Sequence, residues 1–307
     1  MPFTELTGQP QAVDLLTQAV MKNRLAPAYL FAGPDGVGRS LAAKCFVELL
    51  FGVDDKRVRQ GNHPDLLTVQ PTYLHQGQRL TPAQAAEKGL KRKAPPAIRL
   101  EQIREITEFL SRSPLVAPRN VVIIEQAQTM AEAAANALLK TLEEPGKATL
   151  ILIAPSPDYL LSTLVSRCQR IPFYRLDTAA MTQVLQQTGH EEILQHSTVL
   201  SMASGSPGEA IASYELLQTI PAELLQKLTQ LPKNYRNALE LGKEIDKTLD
   251  TEAQLWLVDY LQQFYWLQWH QPSIIQQLEQ TRKSLLCYAQ PRLTWECTFL
   301  SLCQVNL

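Results

Sequence analysis

One stretch constrains this chain more than any other: Gly33-Pro34-Asp35-Gly36-Val37-Gly38-Arg39-Ser40, set between a short apolar run and a helical pattern. Its spacing fits the phosphate-loop motif G-x-x-x-x-G-K-[ST] at every place but one. Ala28-Tyr29-Leu30-Phe31-Ala32 before it reads as a buried strand, and residues 41–51 after it read as a helix. In a working loop of this kind, backbone N–H groups and the helix N-terminus cradle phosphates, and a lysine reaches the terminal ones. Here Arg39 stands in the lysine's place. A planar guanidinium prefers forked contacts and is not a conservative replacement at a tight site. The glycines serve the turn whether or not a nucleotide binds, so the strand–loop–helix unit is expected either way.

The surrounding sequence extends that unit. Val121-Val122-Ile123-Ile124 is a continuous β-branched run, as expected for a strand buried on both faces. Residues 66–69 and 149–153 read as further strands, and 11–21, 101–110 and 131–142 as helices. Strands alternating with helices imply a parallel α/β sheet. The 121–124 run should be followed by Asp-Glu if the site hydrolyses ATP, with the aspartate holding magnesium and the glutamate activating water. This chain has Glu125-Gln126. Glu125 is one methylene longer and still reaches a metal or its water, whereas Gln126 does not accept a proton as a carboxylate does. Two readings stand open. Gly33, Gly36, Gly38, Arg39, Ser40 and Glu125 form either a degenerate site for ATP with magnesium, or only a tight turn.

Residues 73–97 break the rhythm with Gly77, Pro82, Gly89, Pro95 and Pro96, and carry Lys88, Lys91, Arg92 and Lys93. They are expected to form a solvated, mobile loop, with a specific binding element as the other reading. After about residue 175 the strand signals stop. Residues 178–217 read as short helices around Gly205, and 220–307 as longer ones. Leu255, Trp256, Val258, Leu261, Phe264, Tyr265 and Leu267 cover more than one face of their helix. An isolated bundle or a subunit interface would bury such a helix.

Composition excludes several classes. The formal net charge is −1, without the basic excess of a strong free-standing DNA binder. No apolar run is long enough to span a membrane, and the N-terminus lacks a secretory signal. The five cysteines, Cys45, Cys168, Cys287, Cys297 and Cys303, include no C-x-x-C pair. Reduced thiols in the cytoplasm are expected, and no zinc site.

Further stretches carry a resemblance. They are Leu138-Leu139-Lys140-Thr141-Leu142-Glu143-Glu144-Pro145, Ser166-Arg167-Cys168, Gly205-Ser206-Pro207-Gly208-Glu209-Ala210, His63-Pro64-Asp65 and Tyr29-Leu30-Phe31-Ala32-Gly33-Pro34. Together they resemble the clamp-loader branch of the AAA+ family, well over residues 1–217 and loosely beyond, through Pro291-Arg292-Leu293. The resemblance implies an AAA+ P-loop α/β domain over 1–175, a helical lid over 176–218 and an all-α collar for oligomerisation over 219–307.

Departures from the motor type of that branch, gamma/tau, are Arg39, Gln126, the sensor positions Ala154 and Pro155, and Gly208 where the motor carries arginine. No cysteine module lies between Cys45 and His63; many delta-prime chains carry one, so this too is a departure. The pattern is similar to the delta-prime type of bacterial DNA polymerase III clamp loaders. That implies no ATPase activity of its own and Arg167 as an arginine finger in trans. It also implies partnership with gamma/tau-like motor subunits and a delta-like subunit, reaching the sliding clamp and primed DNA through the complex. Spacing alone favours Arg167 as the ion-pair partner of a carboxylate at a domain boundary, and the family signature is what favours the finger. Lys140, Glu143 and Glu144 read either as a solvated helix end or as part of a face toward a subunit or DNA. The competing functions are a gamma/tau-like motor tolerant of Arg39, and a free DNA-binding protein using Lys88–Lys93.

Overall fold

The computed structural model describes residues 2–52, 56–90, 95–144 and 146–305. Lys91, Arg92, Lys93 and Pro145, singled out above, lie outside the described residues. Contacts divide the chain into two compact units, Met1–Met181 and Thr182–Leu307.

The first unit runs α1 (Pro10–Met21), β1 (Ala28–Ala32), α2 (Arg39–Phe51), α3 (Lys56–Arg59), β2 (Leu66–Val69), β3 (Tyr73–His75), β4 (Gln78–Leu80), α4 (Pro82–Glu87), α5 (Leu100–Leu110), β5 (Asn120–Ile124), α6 (Glu132–Glu143), β6 (Ala148–Ala154), α7 (Ser162–Val165) and β7 (Gln169–Pro172). Strands β2-β5-β6-β1-β7 form one sheet, parallel throughout. Every residue of β5 and β6 is buried, which explains their continuous apolar runs. Side chains alternate across β1 with the period of two that a pleated strand imposes. Ala28 and Leu30 join a core with Ile103 and Ile106 of α5, Leu138 and Leu142 of α6, and Leu164 of α7. Tyr29 and Phe31 face the other way, with ring centroids 5.0 and 6.4 Å from Phe46 of α2. Helices therefore cover both faces, and each fully buried Leu or Ile contributes about 1.5–3 kcal/mol.

Two elements differ from the sequence reading. The strand β7 carries only one buried residue, Ile171, and ends on Pro172. A polar sheet-edge strand of this kind leaves no hydrophobic period to detect. Of the 73–97 stretch, residues 73–87 carry regular structure rather than a loop. The β3 and β4 strands pair antiparallel around Gln76 and Gly77, both at positive φ, as a type I′ hairpin turn requires. Buried Leu80 and Ala85 anchor the hairpin and α4. Arg79 donates to Glu105 of α5 at 3.0 Å.

The second unit is helical. The α8 helix (Thr178–Gln187) contains the division between units, and α9 (Ser197–Ala203), α10 (Pro207–Thr219), α11 (Ala222–Leu228), α12 (Tyr235–Thr248), α13 (Thr251–Trp269), α14 (Pro272–Leu286) and α15 (Pro291–Val305) follow. The α13 helix gives Leu257, Val258, Leu261 and Tyr265 to a core shared with α12, α14 and α15, while Leu255, Trp256 and Phe264 pack partly buried against it. Its remaining apolar face is left outside, with Trp266 and Leu267 about two-fifths exposed (40 % and 43 %). Two buried polar groups are paired within this core: Trp295 Nε1 donates to Gln254 Oε1 at 2.9 Å, and the Tyr265 hydroxyl to the Leu228 carbonyl at 2.8 Å. Among the described residues no helix is long and apolar enough to cross a membrane.

The His63-Pro64-Asp65 stretch acts as a clasp. Asp65 is 1 % exposed, and its carboxylate accepts the backbone N–H groups of Leu115, Val116 and Ala117 at 2.6, 2.8 and 2.7 Å. The loop before β5 is thus fixed to the start of β2, and the Asp65 carbonyl accepts Val121 N at 2.9 Å. Burial alone would raise the Asp65 carboxyl, but these N–H donors, with His63 nearby, hold it below the usual carboxylate range. A carboxyl depressed in the folded chain contributes stability above its unfolded value of about 3.9, and loses it as pH falls through the folded value. Asp65→Asn should therefore lower stability at neutral pH by about 1–3 kcal/mol, read from urea denaturation midpoints. The gap between wild type and variant should shrink below about pH 4. A gap that stays constant into acid would show that the carboxylate's charge is not what holds the loop.

Candidate functional site

Of the candidate nucleotide-site residues, Gly36, Gly38, Arg39, Ser40 and Glu125 line one pocket, and Gly33 is not among its lining residues. The β1 strand ends at Ala32, in register with Ala154 of β6, while Ile124 of β5 pairs with Leu152. The loop leaves β1 at Gly33, where a Cβ would lie 2.3 Å from the Phe173 carbonyl oxygen, so no larger residue fits. Gly38, at φ +99°, caps α2 in the left-handed region. Together with Gly36, Ser40, Glu125, Gln126 and Gln128, the loop lines a pocket of about 310 Å³.

The charges inside that pocket are paired within the chain itself. The Arg39 side chain is 8 % exposed and forms an ion pair with Asp35, four residues earlier in the same loop. Its Nη2 donates to Asp35 Oδ1, and its Nη1 is buried without a hydrogen-bond partner among the described residues. Ser40 Oγ donates to Glu125 Oε2 at 2.8 Å. Gln126, two residues past the end of β5, adopts a left-handed backbone at φ +48°.

These features separate what the pocket fits from what it does not. An unpaired buried donor and a helix N-terminus suit an anion. Ser40 and Glu125, joined at 2.8 Å, are the residues that would hold a magnesium ion if one bound. The remaining parts do not fit hydrolysis. The cation at the lysine position is already neutralised by Asp35, and Gln126 is no general base. Ala154 is fully buried in β6, Pro155 has no donor, and the hydroxyl of the next residue, Ser156 Oγ, donates to Asp158 Oδ2 at 2.9 Å. Asp35 was missed in the sequence reading, although its i, i+4 spacing to Arg39 is the signal that finds such a pair.

Arg167 lies elsewhere in the first unit, just beyond α7. Its Nη2 donates to Glu143 Oε1 at 2.8 Å and its Nη1 to the Thr163 carbonyl at 3.1 Å. The pair is open to solvent, with side chains 39 % and 54 % exposed. The neighbouring Cys168 packs at the edge of the sheet core, and burial pushes its thiol up to about 11. It is therefore a protonated packing residue rather than a nucleophile. The apolar side chains of Tyr159 and Leu161, before α7, are also exposed.

The remaining signature residues have local roles. Buried Ser206 caps α10, its Oγ accepting Glu209 N at 3.2 Å, with Pro207 in the first turn. Gly208 sits in that first turn and supplies no side chain. Lys140 and Glu144 are exposed at the end of α6. Lys88 follows α4, also exposed. All five cysteines are free thiols. Among the described residues no three His, Cys, Asp or Glu side chains converge as metal ligands.

A family model described as DNA polymerase III, delta subunit matches residues 8–177, more than half of the chain. A second, described as Cyanobacterial DNA polymerase III delta prime, C-terminal domain, matches residues 179–302. The chain is similar to the DNA polymerase III subunit delta' of Bacillus subtilis, 37% identical over 185 residues that cover 56% of this chain and 50% of that one. It is also similar to the DNA polymerase III subunit tau of the same organism, 25% identical over 242 residues covering 73% of this chain and 39% of the relative. The chain thus spans about half the length of the first relative and less of the second. A solved DNA polymerase III gamma subunit-related protein from Thermotoga maritima superposes with a TM-score of 0.58 at 18% identity, covering 96% of this chain and 99% of its own. That likeness concerns the fold, and it matches a P-loop parallel sheet followed by helices, the AAA+ arrangement. The chain belongs to the DNA polymerase III delta subunit family, on its delta-prime branch.

Proposed function

We propose that this chain is a clamp-loader subunit with no ATP turnover of its own, which supplies Arg167 to the ATP site of a neighbouring motor subunit. One observation carries the reading. Arg167 stays accessible at the edge of the α/β unit, while the chain's own loop pairs its cation with Asp35. An arginine held at such an edge reaches outward, where it stabilises charge developing on a transferred phosphoryl group. Exposed Tyr159 and Leu161 beside α7 suit a surface that a neighbour covers.

The family membership supports partners of the gamma/tau-like motor type and a delta-like subunit. The sliding clamp and primed DNA are met through the assembled complex, in keeping with a net charge of −1. Within the helical region, residues 176–218 act as a lid and 219–307 as the collar through which the subunits associate. Trp266 and Leu267, left outside the helical core, support the collar role. ATP with magnesium has no catalytic part in this chain, and no zinc is needed.

Two experiments test this. Complexes reconstituted with Arg167→Ala should assemble normally yet load clamps more slowly on primed DNA. A trans finger contributes about 10³-fold or more at its own site, so clamp loading should suffer more than basal turnover if the sites act in sequence. Equal clamp loading and equal clamp-stimulated ATPase by both complexes would reduce Arg167 to a surface ion-pair partner. For the helical region as a whole, lid and collar together, a chain ending at residue 187, the close of α8, should remain folded by circular dichroism but fail to co-purify with motor subunits. Full incorporation of that shortened chain would locate the association surface in the first unit instead.

A further inference from the structure

The partner of Arg167 carries an inference that rests on the trans-acting role proposed above and deepens it. Glu143 is the last residue of α6, and Arg167 lies just beyond α7. Nothing in the sequence between them requires the two side chains to meet. The meeting is set by packing: Leu138 and Leu142 of α6 and Leu164 and Val165 of α7 all belong to one buried core. The ends of the two helices are therefore held at a fixed separation, and the 2.8 Å contact from Arg167 Nη2 to Glu143 Oε1 follows from it.

The contact does little for the fold. Half-exposed ion pairs are screened and add little to stability. What it does change is the freedom of the arginine. A free arginine side chain samples many rotamers, and a finger must be in one of them when it engages its target. Here Nη2 is fixed by Glu143 and Nη1 by the Thr163 carbonyl. The guanidinium plane is anchored at both amino groups, and its remaining N–H donors meet no other described residue. Each amino group keeps a second N–H, and Nε keeps its own, for an anionic group outside the chain.

We propose that Glu143 is a positioning residue for Arg167: it holds the guanidinium in the orientation from which it reaches the phosphates of a neighbouring subunit. Glu143 touches no substrate in this role and acts only through Arg167. The opposite effect, a carboxylate that restrains the arginine and must release it, predicts the reverse sign in the same assay.

The test uses complexes reconstituted with motor and delta-like subunits and carrying wild type, Glu143→Gln, Glu143→Asp, Arg167→Ala or the double variant Glu143→Gln/Arg167→Ala. The melting temperature of the isolated chain and the assembly of each complex should be unchanged. Glu143→Gln should lower the clamp-loading rate several-fold, in the direction of Arg167→Ala but by less than the roughly 10³-fold a whole finger supplies at its site. The KM for ATP should stay constant while kcat falls, and Glu143→Asp should recover part of the loss. The double variant should be no slower than Arg167→Ala alone, because the two residues act as one unit. If Arg167→Ala slows loading and Glu143→Gln does not, or if the two losses simply multiply, the positioning role is wrong and the finger stands. Faster loading by Glu143→Gln overturns it in favour of restraint. If Arg167→Ala itself has no effect, the underlying function fails instead.

Discussion

The register of three parallel strands is the constraint from which the site follows. The β1, β5 and β6 strands are hydrogen-bonded so that Ala32 meets Ala154 and Ile124 meets Leu152. Their ends therefore open on one edge of the sheet, where Gly33 and Glu125 continue the chain. The register is secured by burial on both faces of β5 and β6, because each strand sits in only one register when its side chains fill two cores. The Asp65 clasp then fixes the approach to β5 through Leu115, Val116 and Ala117. Sheet geometry brings the phosphate loop, Ser40 and Glu125 together without regard to whether the chemistry survives.

Two arginines show how the same side chain is used in opposite ways. Arg39 is buried in the loop and its charge is met by Asp35. A buried guanidinium without a carboxylate would carry a large desolvation cost, so Asp35 lets the loop keep its shape with arginine at the lysine position. Arg167 also has a carboxylate partner, Glu143, yet both remain in contact with solvent. Its pair can be shared with an outside anion at low cost, because water already screens it. Burial, not residue type, decides which arginine is internal structure and which is available.

Much of this was legible in the sequence. The strand–loop–helix unit around Gly33–Ser40, the runs that became β2, β5 and β6, and the helical second half follow from hydrophobic period and glycine placement. The edge strand β7 was not legible, since only Ile171 of it is buried. The β3–β4 hairpin was hidden by the polar composition of 73–97, though Gln76-Gly77 is a turn signal of the kind that closes two-residue hairpins. At the site, Gln126 and Arg39 were readable as substitutions in a motif. The pairing of Arg39 with Asp35 was also within reach of local spacing. The meeting of Arg167 with Glu143 was not, because it depends on how α6 and α7 pack in a shared core, and such packing leaves no period in the sequence.

We propose that the phosphate loop is kept for its fold while its own chemistry has lapsed. Hydrolysis of ATP with magnesium by the purified chain, followed over many turnovers, tests that claim most directly. The account predicts phosphate release at the rate of buffer alone, with no change when Gln126 is replaced by alanine. Sustained turnover that rises with chain concentration and disappears on Glu125→Ala would contradict it, and would mean that the Arg39–Asp35 loop still drives catalysis.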